Sequence, residues 1–152
     1  MTRKLALLGL VAALVVGVMP AAAADDGPSG VYVSLGTSLA AGTIADSLGN
    51  NIAFSDKSYT DQLYAGLVRR GADLDHAKLG CPGETTLQML GGVNLFGQPS
   101  GCVDMYATGS QMGDALAAIA AGNVELVTID IGANDILQTQ IICAGDPDCI
   151  GA

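Results

Sequence analysis

The fold is decided by the stretch VYVSLGTSLAAG at residues 31–42, in which a short apolar run ends in a glycine and a serine. A second and longer run, NVELVTIDI at residues 123–131, has few polar breaks. Continuous apolar runs of this kind are typical of parallel strands that are buried on both faces. We therefore expect both runs to be strands of one parallel sheet.

Segments with helical periodicity lie between these two runs. Residues 59–70 follow a capping residue, Ser58, and residues 111–121 follow another, Ser110. A weaker run, Asp75–Leu79, falls where an intervening strand is expected. The order strand, helix, strand, helix, strand predicts an α/β fold with a parallel sheet.

The first 24 residues have the layout of a secretory signal peptide. Two basic residues, Arg3 and Lys4, precede an apolar run from Leu5 to Val18, and an A-x-A cleavage pattern stands before Asp25. The run has 14 residues, whereas about 20 are needed to span a membrane, so a membrane anchor is the less favoured alternative. We expect cleavage after residue 24, which leaves one exported domain at residues 25–152.

The charge of this domain restricts its partners. Without its signal peptide the chain has four basic residues against 15 acidic ones, a net charge of about −11. Such a surface repels phosphate backbones, so we expect no nucleic-acid partner. The sequence has no basic amphipathic stretch, so we expect no stable membrane insertion after signal cleavage.

Four cysteines in an exported chain indicate disulfides, and four allow three pairings. We favour Cys81 with Cys102 and Cys143 with Cys149, because the second pair brackets the turn-forming run Gly-Asp-Pro-Asp. A zinc site is the alternative, but no two cysteines have the spacing of zinc ligands and the only histidine is His76. We therefore expect no metal or other cofactor.

Three short blocks follow the ends of the predicted strands: Ser38 after the first, Pro82-Gly83 after the second, and Asn134-Asp135 after the third. In parallel α/β sheets, ligands bind beyond the carboxyl ends of the strands. Each block also has an ordinary structural interpretation, as a helix N-cap, a Pro-Gly turn and an Asx turn, respectively. Their occurrence together, in this order, favours a functional site.

These blocks resemble those of the SGNH (GDSL-type) hydrolase family, secreted actinobacterial esterases and lipases in particular. The matching stretches are 31–42, LGCPGETT at 79–86 and VTIDIGAND at 127–135. The resemblance implies a three-layer α/β/α, flavodoxin-like fold. The first block departs from the family pattern at Thr37, where the family usually has Asp. Thr can cap a helix but supplies no charge, and we expect Thr37→Asp to leave activity unchanged or raise it.

By this resemblance, Ser38 is the nucleophile that attacks an ester carbonyl of a small-molecule or lipid substrate. The backbone N–H groups of Ser38 and Gly83 and the side-chain amide of Asn134 would hold the oxyanion. Asp135 would fix the loop that carries Asn134. The Gly-x-Ser-x-Gly elbow of the α/β-hydrolases is absent, because Ala40 stands two residues after the serine.

The family's fourth block, Asp-x-x-His, supplies the general base, and the sequence has one string of this pattern, Asp73 to His76. We interpret this string as a chance match at the opposite end of the sheet from Ser38. The resemblance therefore implies a chain truncated before the fourth block, without the C-terminal strands and helices, and weakly active or inactive. It also implies an exposed edge strand at 123–131 through which a partner or an oligomer could pair.

Two other interpretations remain open. One is a catalytically dead module that binds esters or glycans on the same scaffold, and the other is an unrelated secreted α/β binding module. Covalent labelling of Ser38 by a serine-hydrolase probe would distinguish the hydrolase from both.

Overall fold

The computed structural model describes residues 29–48, 50–144 and 149. Five strands lie in this part of the chain: β1 (Ser29–Gly36), β2 (Thr43–Ala45), β3 (Asn51–Phe54), β4 (Asp73–Lys78) and β5 (Val124–Asp130). Five α-helices connect or follow them: α1 (Ser38–Ala41), α2 (Tyr59–Val68), α3 (Thr86–Met89), α4 (Gln111–Ala120) and α5 (Ala133–Ile142). A 3₁₀ turn covers Val103–Met105.

The central element is a three-stranded parallel sheet in the order β4-β1-β5. Ser34 in β1 lies opposite Lys78 in β4, and Gly36 at the end of β1 lies opposite Asp130 at the end of β5. The chain is thus an α/β protein with a parallel sheet, as the sequence predicted. Strands β1, β4 and β5 overlap the three predicted runs and differ from them by one or two residues at each end.

The sheet has a hydrophobic cluster on each face, because alternate side chains of β1 point to opposite sides. Val33 and Leu35 pack with Ala115 of α4 on one face. Tyr32 packs with Leu74 of β4 on the other face, next to partly buried side chains of α2. The side chains of Tyr32, Val33 and Leu35 are nearly inaccessible to solvent, so β1 is the buried strand that its sequence predicts.

The expectation that the 123–131 run is buried on both faces is wrong. Val127 and Ile129 of β5 are 38% and 53% exposed, and exposure alternates along the strand. The reason is that β5 is an edge strand of the described sheet, whereas α4 packs mainly over the central strand β1. The expectation of an exposed apolar edge strand is confirmed for the described residues.

The caps of the two long predicted helices are confirmed. Ser58 and Asp61 form a capping box at the start of α2, and the Ser110 side chain accepts a hydrogen bond from Gly113 N–H at the start of α4. Helix α2 ends at Val68, two residues before its predicted end. Because Gly71 has a φ of +96°, it supplies the left-handed backbone that commonly follows a helix.

Several features were not predicted: the antiparallel hairpin of β2 and β3, the short α3, and the ten-residue α5. The two favoured disulfides, Cys81–Cys102 and Cys143–Cys149, are both present. The predicted signal peptide at 1–24 and the predicted turn at 145–148 lie outside the described residues. Among the helices that the structure describes, none has the length and apolar character needed to cross a bilayer.

Candidate active site

The first block forms the junction between β1 and α1. Thr37 is the N-cap of α1, and its hydroxyl accepts a 3.5 Å hydrogen bond from Leu39 N–H. Ser38 is therefore the first residue of the helix, and the interpretation of Ser38 as an N-cap is wrong. The Ser38 side chain is half-buried, and its hydroxyl makes no hydrogen bond to the described residues.

Helix α1 is a single turn of four residues. A long helix would place a macrodipole behind Ser38, but a single turn has few aligned peptide units. Stabilisation of a negative charge at Ser38 would therefore come from individual N–H groups rather than from a helix dipole.

The second block is a tight turn directly after β4. Glu84 N–H donates to Cys81 O at 3.3 Å, so Pro82 and Gly83 are the central residues of the turn. Gly83 has a φ of +77° and is exposed, and a side chain there would meet nothing within 4 Å. Pro followed by a residue with positive φ is the pattern of a type II turn. The turn leaves the Gly83 N–H without a hydrogen bond to the described residues.

The third block forms the first turn of α5. The Asn134 Nδ2 group donates a 2.9 Å hydrogen bond to Glu84 O, which places its amide beside the second block. The Asp135 carboxylate accepts hydrogen bonds from Thr86 N–H at 3.0 Å and from the Thr86 hydroxyl at 3.2 Å. Asp135 thus ties the start of α5 to the start of α3. One hydrogen of the Asn134 amide group remains for another acceptor.

All three blocks meet around Gly36. Cys81 N–H donates to Gly36 O at 2.9 Å, which fixes the second block against the first. Gly36 lies opposite Asp130, four residues before Asn134 of the third block. A Cβ on Gly80 would come within 2.7 Å of Ala41 N, so the second block packs directly on α1. The structure therefore brings the predicted blocks together at the end of the sheet where the parallel strands have their carboxyl ends.

Gln111 holds the carboxyl end of β1 in place, a role that the sequence analysis did not predict. Its side chain is fully buried, and its amide pairs with both backbone groups of Gly36: Oε1 accepts from Gly36 N–H at 2.8 Å and Nε2 donates to Gly36 O at 2.9 Å. The only signal in the sequence is a polar residue at the first position of a predicted helix. The bond joins residues 75 positions apart, so local patterns do not reveal it.

A buried acid, Glu84, directly follows the Pro82-Gly83 turn. It is 1% exposed, and Ser100 donates a 2.6 Å hydrogen bond to Oε2, while Oε1 has no partner among the described residues. Burial raises the pKa of the Glu84 carboxyl, and the hydrogen bond from Ser100 acts in the opposite direction. Sequence reasoning included Glu84 in the motif but gave it no role.

His76 is in the middle of the sheet, not at its end, which corrects its predicted position. His76 belongs to β4 and lies opposite Tyr32 of β1. Its imidazole stacks on the Tyr32 ring at a centroid distance of 4.5 Å. His76 Nε2 is 2.9 Å from Ser34 Oγ, and Nδ1 is 4.0 Å from Asp61 Oδ1. At about 3.3 Å per residue, Tyr32 lies about 13 Å along β1 from Gly36. The interpretation that His76 does not serve Ser38 fits this position.

An open depression of about 370 Å³ lies beside Ser38. Its lining is mixed, with polar side chains, one lysine and the largely exposed Leu39. The lining residues are Ser38, Leu39, Gly42, Thr43, Ser55, Lys57, Ser58 and Tyr59. A small ester group could reach the Ser38 hydroxyl from this side.

No protein-family model, no curated protein and no solved structure matches the chain. Within the described part of the chain, no three His, Cys, Asp or Glu side chains are grouped so that they could hold a metal ion. The site must be interpreted from its own geometry.

Proposed function

We propose that this chain is an exported ester hydrolase of the SGNH (GDSL) type, with Ser38 as its nucleophile. The observation that carries the proposal is that three separate blocks meet at one edge of a parallel sheet. Cys81 N–H binds Gly36 O, and the Asn134 amide binds Glu84 O next to the Gly83 turn. Ligand sites in parallel α/β sheets lie at this edge.

The chemistry follows from the groups present. Ser38 Oγ would attack the carbonyl carbon of an ester while its proton passes to a base, and the carbonyl oxygen would become an oxyanion. The N–H groups of Ser38 and Gly83 and the free hydrogen of the Asn134 amide would donate to that oxyanion. Loss of the alcohol leaves an acyl-serine, which water hydrolyses to the acid and free Ser38.

The proposed class requires a three-layer α/β/α fold, of which the described residues form one parallel sheet with helices. The two disulfides are compatible with export. We propose that residues 1–24 are the signal peptide and that the substrate is a small-molecule or lipid ester. Because the depression beside Ser38 is open, it sets no narrow limit on the acyl or alcohol group.

We infer that the chain by itself turns over esters slowly. The only histidine of the sequence is held in the sheet against Ser34, so it gives Ser38 no base. In serine hydrolases, removal of a triad member costs on the order of ten-thousandfold in turnover. The position of His76 also supports a second candidate, a module that binds esters or glycans at the same site without turnover.

The proposal is tested by treating the chain with a fluorophosphonate probe and locating the label by peptide mass. We expect slow labelling at Ser38, no labelling in Ser38→Ala, and normal labelling in Ser55→Ala. Ser55 is the matched control because it lines the same depression, but its hydroxyl donates to Gly42 O. Absence of label on Ser38, with saturable ester or glycan binding, would favour the binding module instead.

A further inference from the structure

The carboxylate of Asp130 lies where β1 turns into α1, immediately before Ser38. The Thr37 hydroxyl donates a 2.7 Å hydrogen bond to Asp130 Oδ2, and Thr37 N–H approaches the same oxygen at 3.3 Å. The Tyr59 hydroxyl donates to Oδ1 at 3.2 Å. One side chain at the end of β5 thus holds the start of α1 and the start of α2.

The backbone of β1 is adapted to this carboxylate. Gly36 has a φ of +147°, and a Cβ at this position would overlap the Asp130 carboxylate. Both the backbone conformation and the space therefore require glycine at position 36. A larger residue would displace the carboxylate from Thr37.

Thr37 connects Asp130 to the nucleophile. The Thr37 hydroxyl donates to Asp130 and also accepts from Leu39 N–H. These two hydrogen bonds fix the Thr37 side chain at the junction between β1 and α1. Fixing both the side chain and the N–H of Thr37 restricts the peptide that carries the Ser38 N–H. In an active site, a displacement of about 1 Å can cost on the order of a hundredfold in rate.

We propose that Asp130 is a positioning residue for Ser38, acting through Thr37. This inference rests on the proposed function, because it concerns how the nucleophile and its own N–H are aimed. It also reverses our expectation for Thr37→Asp. A carboxylate at position 37 would face the carboxylate of Asp130 instead of donating to it, and like charges at hydrogen-bond distance repel.

The structure provides a matched control for Asp130. Asp114, in the first turn of α4, also accepts from a threonine hydroxyl at 2.7 Å, that of Thr108, and from the N–H groups of Thr108 and Ala107. Among the described residues, the hydrogen bonds of the Asp114 carboxylate go to Ala107 and Thr108 and not to any of the three blocks. A loss that Asp130→Asn and Asp114→Asn share is therefore a general effect of loosening a helix start.

The experiment measures the rate at which the fluorophosphonate probe labels Ser38 in the full chain. We expect Asp130→Asn and Thr37→Val each to slow labelling about tenfold or more, and the double variant to be no slower than the slower single one. We expect Asp114→Asn to remain within about twofold of the parent. Thr37→Asp should label slowly, and the exchange variant Thr37→Asp with Asp130→Thr should recover much of the rate, because it restores one donor and one carboxylate.

Equal slowing by Asp130→Asn and Asp114→Asn would overturn the positioning role, as would an exchange variant that is as slow as Thr37→Asp. If the parent itself is not labelled at Ser38, the proposed function fails, and the inference is judged on the Ser38 amide resonance in NMR spectra. A shift of that resonance in Asp130→Asn but not in Asp114→Asn supports positioning. An unchanged resonance in Asp130→Asn overturns it.

Discussion

His76 Nε2 lies 2.9 Å from Ser34 Oγ, inside the sheet, although these two residue types would suggest a catalytic pair. Ser34 is fully buried, so no substrate reaches its hydroxyl. The imidazole also stacks on Tyr32 and Tyr64. The contact therefore belongs to the core between the sheet and α2, and it keeps the histidine away from Ser38.

We predict that His76→Gln destabilises the fold without removing Ser38 chemistry. The substitution removes the ring stacking and disturbs the partner of the buried Ser34 hydroxyl, which costs about 1–3 kcal/mol in the free energy of unfolding. Urea unfolding measures this loss, with the exposed Asp75→Asn in the same strand as control. Loss of Ser38 labelling in a fully folded His76→Gln variant would show that His76 is the base after all.

We predict that His76 makes the stability depend on pH below its ordinary pKa. Burial lowers the pKa of His76 below its ordinary value of 6.5, so the folded imidazole stays neutral where the unfolded one binds a proton. The contribution of His76 to the stability is therefore complete above pH 6.5 and falls as the pH drops below that value. The groups that face the ring are Asp61, Lys78, Tyr32 and Tyr64.

The measurement compares the unfolding free energies of the parent and His76→Gln across this range. Their difference should shrink as the pH falls below 6.5. The raised pKa of Glu84 gives a slope of opposite sign above its ordinary value of 4.5, but both proteins share it and it cancels in the difference. A difference that is constant or grows on acidification contradicts a neutral buried His76.

We predict that Asn134→Ala acts mainly on ester turnover rather than on the stability of the fold. In the chain joined to a segment that supplies an Asp-x-x-His block, loss of one oxyanion donor should cost roughly a hundredfold to a thousandfold in kcat. Asp135→Asn is the comparison, because Asp135 holds Thr86 and belongs to the same turn. We expect Asp135→Asn to lower the melting temperature more and kcat less. The reverse order would assign the Asn134 amide a structural role only.

We predict that the two disulfides differ in what they stabilise. Cys81–Cys102 closes a separation of 21 residues, for which the loss on removal is about 3 kcal/mol. It also anchors the Gly83 turn, so the Cys81→Ser, Cys102→Ser variant should lose Ser38 labelling as well. The control is Cys143→Ser, Cys149→Ser, which opens a separation of 6 residues outside the three blocks. Equal effects of both variants on labelling would remove the link between the first disulfide and the site.

The sequence predicted those elements whose signals are local. Strand β1 has a continuous apolar run, and helices α2 and α4 begin at side-chain caps; the structure confirms the strand, the helices and the caps. The sequence does not predict helix α5, because Gly132 caps it with its backbone, at a φ of +101° and without a side-chain cap.

The contacts that organise the site could not be predicted from local patterns. Gln111 reaches Gly36 across 75 residues and Asp130 reaches Thr37 across 93. The sequence placed Ser38, Gly83 and Asn134 at strand ends, but which side chains hold them depends on strand order and register. In the sheet β1 is central and β4 and β5 are its neighbours, so both contacts arise from tertiary packing.

The central proposal, that Ser38 is the nucleophile of an ester hydrolase, is tested most directly by supplying a general base. The chain is joined to a C-terminal segment with an Asp-x-x-His block, and hydrolysis of short p-nitrophenyl esters is compared between this parent and its Ser38→Ala variant. We predict turnover in the parent and a loss on the order of ten-thousandfold or more in the variant, because the covalent step is removed. Equal rates in the two proteins would contradict the nucleophile assignment and, with it, the proposed function.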